Sequence, residues 1–174
     1  MDNKMAAALN KQMGRELWSG YIYLQMEAYL TDLGLPGMGR WMRLQYKEEE
    51  VHGMMIYGYL LHAGAKVEMQ PIPEIKGEWD SVLEVWENVL AHEQQVTAWI
   101  HELVDLAREL DDKATYNFLQ WYVAEQVEEE ANAQGVIDTL KFVKSDPQSI
   151  LLMDREMAGR TFAPPPEAAE YGVI

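Results

Sequence analysis

The sequence predicts an all-α fold: an antiparallel four-helix bundle with a long crossover between helices two and three, plus a short fifth helix at the C-terminal end. Three observations carry this. Four long segments repeat apolar residues at i, i+3, i+4, i+7, and almost nothing alternates with the period of a strand. Glycine, proline and aspartate clusters that cannot continue a helix separate the segments. Only one connection, residues 65–80, is too long for a tight turn; it falls between the second and third segments and suits a crossover along a bundle. At 174 residues the chain is read as one domain, with the bundle over about residues 3–144, the fifth helix over about 146–158 and an extended tail over 161–174.

Each element has its own signal. The first helix runs from Asn3 to about Leu33, with Leu9, Met13, Leu17, Gly20, Leu24 and Leu30 on one stripe, and stops at Gly34-Leu-Pro36-Gly37. The second runs from about Met38 to His62 with Trp41, Leu44, Met55, Ile56 and Tyr59 inward, and Gly64 marks its end. The crossover contains Pro71 and Pro73. Ser81-Val-Leu-Glu84 reads as a capping box opening the third helix. Its stripe is Val82, Trp86, Val89, Glu93, Val96, Ile100, Leu103, Ala107 and Leu110, and Glu93 is its only charge. A turn at Asp111-Asp112 leads to the fourth helix, which is expected to reach about Lys144. Asp146-Pro147 reads as an N-cap followed by proline at N1 of a helix ending near Ala158, with Gly159 beyond it. Pro164-Pro165-Pro166 predicts an extended tail.

Composition narrows the chemistry. A hydrophobic share of 48% and a charged share of 25% belong to a soluble globular chain. A net charge of −15 argues against nucleic acid or an anionic membrane as partner and leaves room for cations. No cysteine is present, which excludes disulfides, thiolate zinc sites and iron–sulfur centres. No apolar run resembles a signal peptide or spans a bilayer, so a cytoplasmic location is expected.

The fourth helix is where the pattern breaks. Phe118, Leu119 and Tyr122 begin its stripe and Val136, Ile137, Leu140 and Val143 resume it, but Glu125, Gln126, Glu129 and Asn132 fill the inward positions between. A carboxylate in a bundle core costs several kcal/mol unless a positive charge offsets it, and no Lys or Arg falls between Lys113 and Lys141. The other helices carry matching anomalies: Glu16 on the first, the Glu49-x-x-His52 pair on the second with Glu48 beside it, and Glu93 on the third. Antiparallel helices of similar length bring these mid-helix positions to one height. Single carboxylates from two helices, with i, i+3 pairs from the other two, form the ligand pattern of di-iron carboxylate bundles, here with Gln126-x-x-Glu129 as the second pair. Oxygen-rich ligation with one imidazole suits Fe²⁺ going to Fe³⁺, with Mn²⁺ and Zn²⁺ as competitors. Two adjacent Fe²⁺ ions can deliver two electrons to one O₂, and the weaker second site favours release of oxidised product over a permanent cofactor.

Met13-Gly-Arg-Glu16-Leu-Trp-Ser-Gly-Tyr-Ile-Tyr23, Glu48-Glu49-Glu50-Val-His52, His92-Glu93-Gln94 and Phe118-Leu-Gln-Trp121-Tyr-Val-Ala-Glu125-Gln126-Val-Glu128-Glu129-Glu130 together resemble the four helix signatures of prokaryotic, haem-free ferritins of the archaeal type. The resemblance implies a shell of 24 subunits that oxidises Fe²⁺ and stores it as ferric mineral. It implies ferroxidase ligands at Glu16, Glu49, His52, Glu93 and Glu129, with Gln126 beside them. It further implies a third iron site at Glu48, Glu125 and Glu128, sharing Glu129, and a tyrosine next to the di-iron centre at Tyr23. No haem is expected, since Glu50 stands where bacterioferritins carry their haem-ligating Met. Rubrerythrins need a cysteine-bound iron domain that this chain lacks. The family uses the fifth helix in shell contacts.

The competing class is a bundle without a shell, either non-catalytic or a di-iron enzyme acting on an organic substrate or peroxide. A substrate oxygenase calls for a permanent, symmetric site, and Gln126 argues against one. An interaction protein has no reason to set carboxylates on four inner faces. Glu50 reads as surface, and His62, His92 and His101 read as structural or exposed.

Overall fold

The computed structural model describes residues 1–144 and 146–173. It contains α1 (Asn3–Asp32), α2 (Pro36–His62), α3 (Val82–Glu109), α4 (Lys113–Phe142) and α5 (Pro147–Met157), followed by a 3-10 turn over Pro166–Tyr171; no strand occurs among the described residues. The chain divides into two compact units, one of α1, α2, α5 and the C-terminal turn, the other of α3 and α4.

In the first unit α1 and α2 pair through a three-residue connection. Gly34 takes the left-handed conformation (φ 81°), its N–H donates to Thr31 O, and the Leu35 N–H donates to Leu30 O, so the last carbonyls of α1 are satisfied by a Schellman motif. The next residue is Pro36 at the first turn of α2, two residues ahead of the start expected at Met38. The cluster that stops one helix therefore starts the next, because proline's fixed φ and missing N–H suit N1. At the far end Gly64 (φ 67°) and the Ala65 N–H to Leu60 O bond repeat the Schellman motif, as its position predicts.

The crossover, without regular structure over residues 65–80, lies along α1. Asn10 holds its start, donating Nδ2 to Lys66 O at 2.9 Å and accepting the Glu68 N–H at 2.6 Å. Gln25 Nε2 donates to Gly77 O at 3.1 Å near its end. Asn10 and Gln25 are roughly 22 Å apart along a helix, so these bonds hold the connection along about half the length of α1.

The C-terminal segment follows α2. Asp154 on α5 is buried and its Oδ1 accepts the Met38 N–H at 2.8 Å, which caps the N-terminus of α2 from another helix. Contrary to the extended tail expected over 161–174, residues 166–171 coil into the 3-10 turn, with Pro165 in an extended conformation just before it. Two contacts explain the departure: Ala168 is fully buried, and the Tyr171 backbone lies so close to Gly58 that a Cβ there has no room. The Tyr171 ring meets Tyr59 edge-on at 6.1 Å. Ile174, the last residue of the expected tail, lies outside the described residues.

In the second unit Ser81 Oγ accepts the Glu84 N–H at 3.1 Å, and Glu84 answers by accepting the Asp80 N–H at 2.6 Å, one residue earlier than a strict capping box. The α3 stripe is buried from Val85 to Ala107, with Val82 and Leu110 only half-buried. Asp111 adopts φ 52° and Asp112 caps α4 by accepting from Thr115 N at 3.0 Å. Helix α4 ends at Phe142, two residues short of Lys144, which turns out of the helix at φ 51°. Its buried track runs through Tyr122, Gln126, Glu129, Ala133 and Ile137. Asn132 was expected inward and is instead exposed, because the neighbouring Ala133 holds the place that a 3.6-residue period reaches from Glu129.

Candidate metal centre

The first unit brings Glu16, Glu49 and His52 together. Glu49 and His52 are one turn apart on α2 and so share a face, and Glu16 comes from α1. Each offers a ligand atom within 4.8 Å of the others. All three are buried, at 1%, 2% and 3% exposure. His52 Nδ1 lies 3.7 Å from Glu49 Oε2. Metal–oxygen and metal–nitrogen bonds of about 2.0–2.2 Å bridge ligand atoms about 4 Å apart, so a small inward shift closes these groups on one ion.

Electrostatics favour a cation there. Burial raises the Glu16 carboxyl above its usual range, against the opposing pull of His52, of hydrogen bonds from Gln12 and Glu49, and of Arg15. Gln12, fully buried, donates Nε2 to Glu16 Oε1 at 2.8 Å and accepts from Arg15 at 3.1 Å. This relay fixes the orientation of Glu16 in the way that outer groups fix a metal ligand. In the sequence Gln12 carries no sign of this role beyond preceding an expected ligand by one helical turn. Tyr23 is buried two turns beyond Glu16 on α1.

Within the second unit Glu93, Gln126 and Glu129 are buried, at 1%, 6% and 4% exposure. Gln126 Nε2 donates to both Glu93 O and Glu93 Oε2 at 3.1 Å, and it reaches Thr97 Oγ1 at 3.4 Å. The Thr97 hydroxyl donates to Glu130 Oε1 at 2.6 Å. Gln126 therefore steers Glu93 with its nitrogen, a role distinct from ligation, and Thr97, one turn past Glu93, carries no signal in the sequence. His92 is only partly exposed, and burial pushes its imidazole down to about 4.

The residues expected at a third site are less enclosed. Glu125 is half-buried and Glu128 exposed. Glu48 is half-buried and its Oε2 accepts from Arg160 of the C-terminal segment. Among the described residues, the group of three or more His, Asp or Glu ligands that converges is Glu16, Glu49 and His52.

The family model for the ferritin-like domain matches residues 6–143. The chain belongs to the ferritin family. The bacterial non-heme ferritin of Staphylococcus saprophyticus is 38% identical over 162 residues, covering 93% of this chain and 97% of the relative. That of Bacteroides fragilis is 36% identical over 160 residues, covering 92% and 99%. Among solved structures, an engineered closed form of the Archaeoglobus fulgidus ferritin superposes with a TM-score of 0.92 at 44% identity, covering 94% of this chain and 99% of that one. The open pore ferritin of the same archaeon gives 0.91 at 43% identity, covering 92% and 99%. The prokaryotic non-haem ferritin recognised in the four helix motifs and the ferritin-like all-α fold with its short C-terminal helix are both upheld. No described helix of this ferritin is long and apolar enough to cross a membrane.

Proposed function

We propose that this chain is an iron-storage ferritin that oxidises Fe²⁺ with O₂ at a di-iron centre within each subunit. The ligands are Glu16, Glu49, His52, Glu93 and Glu129, with Gln126 beside them, and the ferric product is kept as mineral inside a shell of 24 copies in the cytoplasm. Family membership supports iron storage. The observation that carries the finer reading is the buried Glu16–Glu49–His52 cluster, whose ligand atoms fall within 4.8 Å of one another.

The chemistry follows from the donor set. Buried carboxylates lose much of their hydration, so Fe²⁺ is drawn in by charge and by the relief of their mutual repulsion. Two Fe²⁺ ions give up one electron each, O₂ takes both, and with two protons the products are two Fe³⁺ and H₂O₂. Carboxylate oxygens favour the harder Fe³⁺, which lowers the cost of losing the electron. His52 supplies one neutral nitrogen ligand. Gln126 in place of a stronger ligand leaves one iron less firmly held, which favours passing the oxidised ion onward. Glu48, Glu125 and Glu128, with Glu129 shared, form a third iron position along that route. Tyr23 stands beside the centre. No haem is required by this scheme.

The test is direct. Purified protein is sized by light scattering, then given Fe²⁺ in air while oxidation and retained iron are followed. A particle of hundreds of kDa that oxidises and retains many irons per subunit supports the reading. A small oligomer, or one that leaves Fe²⁺ oxidation at the buffer rate, removes it.

A further inference from the structure

We propose that Arg160, carried on the C-terminal segment, is a tethered cation that competes with iron for the Glu48 carboxylate and so sets how tightly the third iron position holds its ion. The inference rests on the assignment of Glu48 to that position. Arg160 lies 112 residues from Glu48 in sequence, yet the guanidinium donates to Glu48 Oε2, to Gln45 Oε1 at 3.0 Å and to Trp41 O at 3.3 Å. It also stacks over the Trp41 ring at 4.2 Å. Trp41, Gln45 and Glu48 are one turn apart in succession, so the guanidinium lies along a single stripe of α2. Both charged side chains of the pair are 19% exposed, which places the pair where attraction is stronger than on an open surface.

The backbone on either side is fixed. Upstream, Asp154 accepts the Met38 N–H at 2.8 Å; downstream, Tyr171 packs against Gly58 and Tyr59. The positive charge is thereby delivered to Glu48 by the fold, at a high effective concentration. An ion arriving at Glu48 must either displace the guanidinium, losing a charge-assisted bond, or sit beside a like charge. Either outcome weakens the hold on that ion and suits a position that passes iron on.

The experiment titrates assembled full-length protein with Zn²⁺, which is redox-inert, by calorimetry, resolving each class of ion per subunit. The variants are Arg160→Gln, Arg160→Lys and Glu48→Gln. Arg160→Gln keeps a hydrogen-bonding amide and removes the charge; it should tighten the weakest Zn²⁺ class about tenfold, the factor for removing one charge-assisted bond. Arg160→Lys keeps the charge and should stay within about twofold of the parent. Unchanged or weaker binding in Arg160→Gln overturns the proposal, as does an equal shift in both Arg160 variants. Loss of the weakest class in Glu48→Gln without a shift in Arg160→Gln sinks this inference alone. No change in Glu48→Gln sinks the third-site reading, and the inference with it.

Discussion

Gln126 spends one amide nitrogen on two oxygens of Glu93, the backbone carbonyl and the carboxylate, each at 3.1 Å. The bonds join α3 to α4 across the turn at Asp111-Asp112 and aim a carboxylate with 1% exposure. Replacing Gln126 by Glu turns a donor into a second anion against Glu93. Metal-free Gln126→Glu should lose about 1–3 kcal/mol through the lost bond and the repulsion. Zn²⁺ should restore most of it. Melting curves with and without Zn²⁺ check this; an equal loss in both states counts against the proposed metal role of Glu93 and Gln126.

His52→Ala and Glu93→Ala should each slow aerobic Fe²⁺ oxidation by more than about a hundredfold, since the proposed function makes both of them ligands rather than groups that support ligands. Assembly should be unaffected. Stopped-flow absorbance and light scattering on the same preparations make the comparison, and parental rates in both variants would remove them from the site.

Glu16→Gln isolates the cost of the buried carboxylate. Burial already drives the Glu16 carboxyl towards its neutral form, and an amide oxygen can still accept from Gln12 Nε2. The metal-free variant should therefore be as stable as the parent or up to about 1 kcal/mol more stable, while Zn²⁺ stabilises it less. Denaturant melts of the metal-free proteins decide it. A clear loss of stability would make Glu16 a structural residue.

Gly58→Ala sets a Cβ against the Tyr171 backbone. The C-terminal turn should detach, at a cost of about 1–3 kcal/mol. Limited proteolysis should then cut faster after Arg160, which the docked segment holds half-buried against Trp41 and Gln45. An intact tail under the same digestion shows that the contact yields without release.

Much of this was legible in the chain because burial and periodicity are local. Glu93 stands out as the one charge on an otherwise apolar stripe, and Glu49 and His52 share a helical face by spacing alone. Helix ends were legible where glycine or a capping residue marks them, as at Gly64 and Ser81. Asn132 reads as inward in the sequence yet is exposed, because a stripe fixes a face only to within one residue and Ala133 is equally consistent with it. The supporting residues were harder. Gln12 and Thr97 sit one turn from Glu16 and Glu93, where a polar residue reads equally well as solvated. Arg160 gave no signal, for its partners are more than a hundred residues upstream. A proline triplet likewise says nothing of what lies next to it, and Gly58, which makes room for Tyr171, is silent until both are seen together.

The cap that Asp154 places on Met38 has a consequence during synthesis. The two residues are 116 positions apart. At about 5–20 residues per second, the ribosome delivers the acceptor roughly 6–23 s after the N–H it serves. Helix α2 thus leaves the ribosome with its opening turn unfinished, and only a segment made 116 residues later completes it. Messages truncated before codon 154 should yield chains whose first hairpin frays at that end, a built-in mark of incomplete translation.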